Sequence, residues 1–350
     1  MLQTSTILRH WFRTRWPQLY ALWKFSRPHT VIGTTLSVLA LWSLAGVYSQ
    51  GWQLIAWSLQ TNAQWPWQLW QPLLLALLAC LCGNVYIVGL NQLCDQPIDR
   101  INKPHLPLAS GEFSRQQGRR IVLMTGLLAL IFAAWGGIWL MGTVSSSLLI
   151  GTAYSLPPIR LKRFPLWASL CILTVRGGIV NLGLFHHFAS QFGGGQRTPI
   201  AVWSLTGFIL LFSIAIAIFK DIPDAEGDRR HRIQTFTLRF GPQVVFWLTS
   251  VIITLCYGGL CLAAMWWLTA PALWIFQGCH GAILIFFWAS SLQFAQREFK
   301  RTHVEGIHGP AIDAAAVSRP NSMAIATFYQ FIWKLFFLEY ICFPLLALAG

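Results

Sequence analysis

Apolar residues recur along this chain in long runs separated by short polar intervals. Neither the alternation of a half-buried strand nor the narrow stripe of a soluble amphipathic helix dominates. Nine runs, near 29–47, 70–92, 121–139, 142–158, 166–188, 201–219, 243–268, 271–295 and 325–348, approach or exceed the length a helix needs to cross a bilayer. The fourth is short, and the second is interrupted by Gly and Asn. The pattern predicts an all-α polytopic membrane protein of about nine transmembrane helices, with residues 28–350 forming one membrane domain and residues 1–27 a basic cytoplasmic N-terminal segment.

The polar intervals set an orientation. Arg9, Arg13, Arg15, Lys24 and Arg27 precede the first run, and Arg100, Lys103, Arg115, Arg119 and Arg120 follow the second. Arg160, Lys162 and Arg163 follow the fourth, Arg229, Arg230, Arg232 and Arg239 the sixth, and Arg297, Lys300, Arg301 and Arg319 the eighth. The alternate intervals hold only Arg197. Basic loops are retained in the cytoplasm, so nine spans place the N-terminus inside and the C-terminus outside.

Composition refines this reading. Only 10% of residues are charged, yet the net charge is +14. Topology-setting loops and anionic headgroups account for that excess, and no nucleic-acid module accompanies it. No nucleic-acid partner and no obligate protein partner are expected; the bilayer is. The eight Cys are scattered without metal-ligand spacing and read as apolar fillers or free thiols. No cleavable signal is expected before the first span, which suits a bacterial plasma or thylakoid membrane.

The chain has eleven acidic residues, and six of them fall in two short stretches. In NQLCDQPIDR (residues 91–100), Asn91, Asp95 and Asp99 recur at steps of four, which keeps them on one helical stripe. In FKDIPDAEGD (219–228), Asp221, Asp224 and Asp228 recur at steps of three and four, with Glu226 facing elsewhere. Both stretches sit at cytoplasmic ends of predicted spans. Two acidic patches at one depth repel each other unless cations lie between them. Hard oxygen donors select Mg²⁺ or Ca²⁺, and Mg²⁺ completes its shell with water and phosphate oxygens. Arg100, Lys103, Arg160, Lys162 and Lys220 are suitable partners for such a phosphate. The paired clusters therefore predict a metal-bridged diphosphate site, with Asp95, Asp99, Asp221 and Asp224 as its catalytic carboxylates. An isoprenoid diphosphate, with a lipid tail and an anionic head, suits such a site in a membrane.

NQLCDQPIDRINKPHLPLASGEFS resembles the first aspartate-rich motif of the UbiA superfamily of intramembrane prenyltransferases, and FKDIPDAEGDRRHRIQTFTLRFG resembles the second. KFSRPHTVIGT, YSLPPIRLKR and FYQFIWKLFFLEY are similar to the homogentisate prenyltransferase branch, and the likeness covers about residues 22–348. The resemblance implies helices around a central cavity, and transfer of a prenyl group, phytyl first among donors, to homogentisate with loss of its carboxylate, as in tocopherol biosynthesis. It implies that Asn91, Asp95, Asp99, Asp221, Asp224 and Asp228 hold Mg²⁺ and diphosphate, with Arg160 and Lys162 supporting the leaving group. Pro97 stands where the branch often carries another acid, and the run 302–320 is unusual for it.

Other positions carry competing readings. Arg27 and His29 serve equally as topology determinants or substrate contacts, and Tyr154 as a cover for the diphosphate or an interfacial aromatic. Arg176 lies inside the fifth run, where an unpaired charge is expensive and a cavity-facing role is expected. Asn181 is expected to pack helices, and His186 and His187 to form an interfacial pair. Geranylgeranyl or solanesyl donors, 4-hydroxybenzoate or chlorophyllide as acceptor, and a transporter with intramembrane carboxylates are the alternatives.

Overall fold

The computed structural model describes residues 14–49, 53, 67–195, 197–230, 235–308 and 322–348. Helices account for all regular structure among them. Those of nine residues or more are, in order, α1 (Pro17–Phe25), α2 (Pro28–Tyr48), α3 (Trp67–Asn102), α4 (Arg115–Gly136), α5 (Ile138–Ser155), α6 (Pro165–Leu173), α7 (Val180–Gln191), α8 (Ile200–Phe219), α9 (Asp221–Arg230), α10 (Pro242–Ala264), α11 (Ala272–His308) and α12 (Ser322–Leu348). A π-helical turn, Thr174–Ile179, joins α6 to α7, so the two cross as one broken helix.

Eight of the helical segments are long and apolar enough to span a bilayer. The expected ninth, α5, has 18 residues and does not reach that apolarity. The reason lies in its position: Thr143, Ser147 and Tyr154 on α5 face the interior cavity, so its polar side chains are spent on the cavity wall. Large apolar side chains on the outer surface are largely accessible, such as Ile138 at 81% and Trp266 at 79%.

The helices form two layers. The cavity wall is built from α2, α3, α5, the α6–α7 pair, α8 and α12. Outside it, α4 packs on α3 and α5, α10 packs on α8, and α11 bridges α10 and α12. Small residues allow close approach where bilayer helices cannot rely on hydrophobic collapse. A Cβ on Gly151 of α5 would lie 2.7 Å from Ile87 of α3, and one on Gly177 would meet Leu210 of α8 at 2.4 Å.

At one end of the bundle the chain is tied down locally. Ser114 and Gln117 form a capping box that starts α4. Phe25 at the end of α1 is buried with Ala21, Leu90, Leu108, Phe113 and Val122, and Lys24 pairs with Glu112. The last residues of the basic N-terminal segment are thus docked beside the first acidic motif. Residues 1–13 and 309–321, which include most of the unusual 302–320 run, lie outside the described residues.

Candidate active site

The first acidic motif remains helical to Asn102, so its four-residue spacing does turn one stripe toward the interior. Pro97 sits within α3 without ending it and lines the chamber beside the two aspartates. The second motif begins a new helix: α8 stops at Phe219, and α9 starts at Asp221 after Lys220. Lys220 itself keeps helical dihedrals, and α9 packs beside α3.

Both motifs open onto a chamber of about 1110 Å³ at this end of the bundle. Its wall includes Arg27, Asn91, Asp95, Asp99, Lys103, Tyr154, Arg160, Lys162, Lys220, Asp221 and Asp224, eleven of the positions singled out from sequence. A second, narrower cavity of about 330 Å³ continues inward and shares Arg27, Asn91, Tyr154 and Lys220 with the first. Arg176 lines only this inner part.

The cations between the acidic patches belong to the protein itself. Asp95 receives Lys162 Nζ at 2.5 Å and Arg160 Nη2 at 3.1 Å. Asn91 Nδ2 donates to Asp95 Oδ2 at 3.1 Å, while Asn91 Oδ1 accepts from Arg27 Nη2 at 3.3 Å. Asn91 is therefore a link between Arg27 and Asp95, with its oxygen already engaged. Lys103 Nζ reaches across to Asp224 at 2.5 Å. Lys220 Nζ faces the Tyr154 hydroxyl at 3.5 Å, and Lys162 lies over the Tyr154 ring.

Two of these cations sit on strained backbone. Arg27 (φ 53°) and Arg160 (φ 40°) are the two non-glycine residues with positive φ among those described, a conformation that side-chain-bearing residues seldom adopt. Both direct their guanidinium groups at the first acidic motif. Strain concentrated on ligand-facing residues is a mark of functional geometry.

Asp99 is nearly fully buried, and its Oδ2 has no hydrogen-bond partner. An orphaned carboxylate oxygen inside a polar chamber is a donor in need of a cation. Among the described residues, no three of His, Cys, Asp or Glu lie close enough to cage a metal by themselves. The donors fit Mg²⁺ that keeps one or two carboxylates and takes its remaining oxygens from water and phosphate. Seven cations (Lys24, Arg27, Lys103, Arg160, Lys162, Arg163, Lys220) and four carboxylates line this chamber, so its wall is net positive. A diphosphate adds about three negative charges, which that excess and divalent ions together would offset.

Two nominated residues stand apart. Arg100 is exposed and lines neither cavity: one residue past Asp99, it is rotated about 100° off the stripe. The side chain of Asp228, like that of Glu226, lies outside the described residues. Asn181 behaves as expected of a packing residue. It accepts from the Tyr340 hydroxyl of α12 at 3.1 Å and donates to the Gly177 carbonyl at 2.9 Å. His186 and His187 do not form an interfacial pair: His187 is buried against the Pro72 carbonyl, while His186 stacks on Trp139 and bonds Thr198.

Sequence reasoning left the aromatic wall unassigned. Tyr329, Trp333, Phe336 and Tyr340 of α12 line the inner cavity. Their spacing of four, three and four residues is a helical stripe within FYQFIWKLFFLEY, and that periodicity was the available signal.

Comparison with known proteins places this geometry. Residues 54–304 match the UbiA prenyltransferase family. The chain is 48% identical over 328 residues to homogentisate phytyltransferase of Synechocystis sp., covering 93% of this chain and 95% of that one. It is 35% identical over 329 residues to the chloroplastic homogentisate solanesyltransferase of Arabidopsis thaliana, covering 93% and 76%. In three dimensions it resembles a UbiA homolog from Archaeoglobus fulgidus bound to GPP and Mg²⁺, with a TM-score of 0.55 at 17% identity over 93% of this chain and 99% of that one.

Proposed function

The chain belongs to the UbiA prenyltransferase family, and on that premise we propose that it is an integral membrane enzyme that transfers a prenyl group, phytyl first among donors, from its diphosphate to homogentisate. The observation that carries this reading is the meeting of Asp95 and Asp224 with Lys103, Arg160, Lys162 and Lys220 at the mouth of an aromatic-lined cavity. The likeness to the Synechocystis phytyltransferase supports the acceptor and the donor class.

In this reading Asn91, Asp95, Asp99, Asp221, Asp224 and Asp228 would hold Mg²⁺, with Asn91 also orienting Asp95. The ion, when bound, supplies positive charge to a departing diphosphate. Arg160 and Lys162 leave Asp95, and Lys103 leaves Asp224, to take phosphate oxygens. The cations that neutralise the carboxylates alone thus become the cations that stabilise the leaving group. Breaking the C–O bond leaves an allylic cation on the prenyl chain. Tyr329, which lines both chambers, stands beside the space it would occupy, and an aromatic ring attracts positive charge. The apolar wall of Val144, Leu148 and Ile216 excludes water that would quench it. The electron-rich acceptor ring then forms the new C–C bond and loses a proton. Loss of CO₂ from the carboxymethyl arm consumes one, so the protons cancel and diphosphate and CO₂ are the groups released. The basic loops argue for a cytoplasmic active-site face in a bacterial plasma or thylakoid membrane.

The test is direct. Purified protein in lipid nanodiscs receives homogentisate, Mg²⁺ and, in separate reactions, phytyl, geranylgeranyl or solanesyl diphosphate, with products identified by mass. Phytylated, decarboxylated quinol is the expected product. Folded protein that releases no diphosphate with any donor would overturn the proposal.

A further inference from the structure

Among the described residues, Arg176 on the inner cavity has a buried guanidinium nitrogen without a hydrogen-bond partner and no carboxylate to pair with. Arg176 is carried by the π-helical turn Thr174–Ile179, whose extra residue rotates the side chain into the cavity between α3, α5 and α12. Asn181 Nδ2 donates to the Gly177 carbonyl and, at 3.4 Å, to the Arg176 carbonyl, which satisfies backbone oxygens that the turn displaces. The fold thus holds an irregular and otherwise costly turn in place for the sake of this position.

The guanidinium lies 4.8 Å from the Trp333 ring centre and 5.6 Å from that of Phe336. Contact with the two rings fixes its plane and offsets part of the cost of burying the charge. The donor edge is not used: Nη1 is buried with no hydrogen-bond partner, and no carboxylate among the described residues pairs with Arg176. The nearby phenols carry no charge to answer it, and the Tyr340 hydroxyl donates to Asn181. A planar cation with a free edge is suited to a carboxylate, which it binds through two parallel hydrogen bonds.

Position separates this group from the diphosphate site. Lys220 and Tyr329 line both chambers, whereas Arg176 and Trp333, one turn deeper along α12 than Tyr329, line only the inner one. Each of Lys103, Arg160 and Lys162 has a carboxylate partner at the mouth, while Arg27 donates to Asn91 with its Nε left over and Lys220 faces the Tyr154 hydroxyl, and both of these also line the mouth. A hydrocarbon tail would leave the Arg176 charge unanswered.

We infer that Arg176 is the binding residue for the carboxylate of the aromatic acceptor, so that the two anionic substrates are sorted between separate cations at two depths. The inference rests on the prenyltransferase reading and deepens it. Seating the carboxylate on Arg176 places the acceptor ring against the aromatic stripe of α12, between that anchor and the diphosphate-bound end of the donor. Selection follows: carboxylate-bearing hydroquinones are favoured over neutral ones, and the acceptor does not compete for the diphosphate cations.

The experiment compares wild type, Arg176→Gln and Arg176→Lys in nanodiscs. Radiolabelled homogentisate binding is measured by equilibrium dialysis, and steady-state KM is measured for homogentisate, for methylhydroquinone (which lacks the carboxylate) and for phytyl diphosphate with Mg²⁺. Arg176→Gln is expected to weaken homogentisate binding and raise its KM at least about tenfold, to leave the phytyl diphosphate KM within about twofold, and to erase the preference for homogentisate over methylhydroquinone. Arg176→Lys keeps the charge without the fork and is expected to recover part of the binding. Unchanged homogentisate binding in Arg176→Gln, or a loss confined to the donor, overturns the inference. Wild-type protein that binds homogentisate in an Arg176-dependent way yet prenylates nothing would refute the enzyme reading while leaving the carboxylate site standing.

Discussion

Lys103 at the end of α3 places its Nζ 2.5 Å from Asp224 Oδ2 on α9, across 121 residues of sequence. This pair joins the two acidic motifs and answers why two carboxylate clusters tolerate one another: a lysine from the first motif neutralises the second. Both side chains retain solvent contact, 31% and 19%, so the pair contributes under about 1 kcal/mol to stability. Lys103→Met is therefore expected to leave the melting temperature nearly unchanged while raising the KM for prenyl diphosphate at least about tenfold. A donor KM equal to wild type would remove Lys103 from the diphosphate site.

Asp95 anchors Arg160 and Lys162, and Asp224 anchors Lys103. Asp95→Ala and Asp224→Ala are each expected to abolish turnover while the protein still inserts into the membrane, and chelation of Mg²⁺ is expected to do the same reversibly. Protease protection reports insertion, and diphosphate release reports turnover. Near-normal rates in both variants would reduce the clusters to interfacial acids.

The left-handed backbone at Arg160 offers a separation of stability from function. Glycine adopts φ 40° without strain, so Arg160→Gly is expected to regain up to about 1 kcal/mol of stability while losing donor affinity. Arg160→Lys keeps the strain and part of the affinity. Thermal midpoints and donor KM values measured together check this; parallel loss of both in the glycine variant would mean the backbone conformation depends on the guanidinium contact.

His105 stands at the rim of the outer chamber. Although it remains exposed overall, partial burial, and then the neighbouring Lys24, Lys103 and Arg27, hold its imidazole below the ordinary value of 6.5. The unfolded chain then takes up the proton first as pH falls. The stability due to neutral His105 is complete above pH 6.5 and declines as pH drops from 6.5 through its folded value. His105→Gln is expected to flatten the dependence of the melting temperature on pH across that window. An unchanged slope would sink the assignment.

His280 of α11 and Glu339 of α12 form a fully buried pair at 3.1 Å, with His280 Nδ1 2.7 Å from the Phe276 carbonyl. Glu339 directly precedes Tyr340, so the pair helps set the rotation of the helix that carries the aromatic wall. His280→Leu strands a buried acid and is expected to cost about 3–5 kcal/mol, whereas His280→Leu with Glu339→Leu is expected to cost much less. A double-mutant cycle of thermal midpoints measures this, and simple additivity of the two single losses would show that the residues are not coupled.

The amino-acid sequence by itself determined the helical membrane class, the end at which charge gathers and the two acidic stripes. Each follows from local rules: an apolar run long enough for a bilayer, the cost of moving Lys and Arg across it, and a turn of 3.6 residues that puts Asp95 and Asp99 on one face. Even the weak fourth run was visible, although its serines and threonines disguised a cavity-lining helix as a poor span. Periodicity says which side of a helix a residue occupies, but not which helix lies opposite. Only the tertiary structure decided that Lys103 crosses to Asp224. It alone showed that Asn91 is engaged by Arg27, and that a π-helical turn lays Arg176 on Trp333. The physical reason is that helices held by close packing and buried hydrogen bonds choose their neighbours through contacts between residues far apart in the chain, and no local pattern records those contacts.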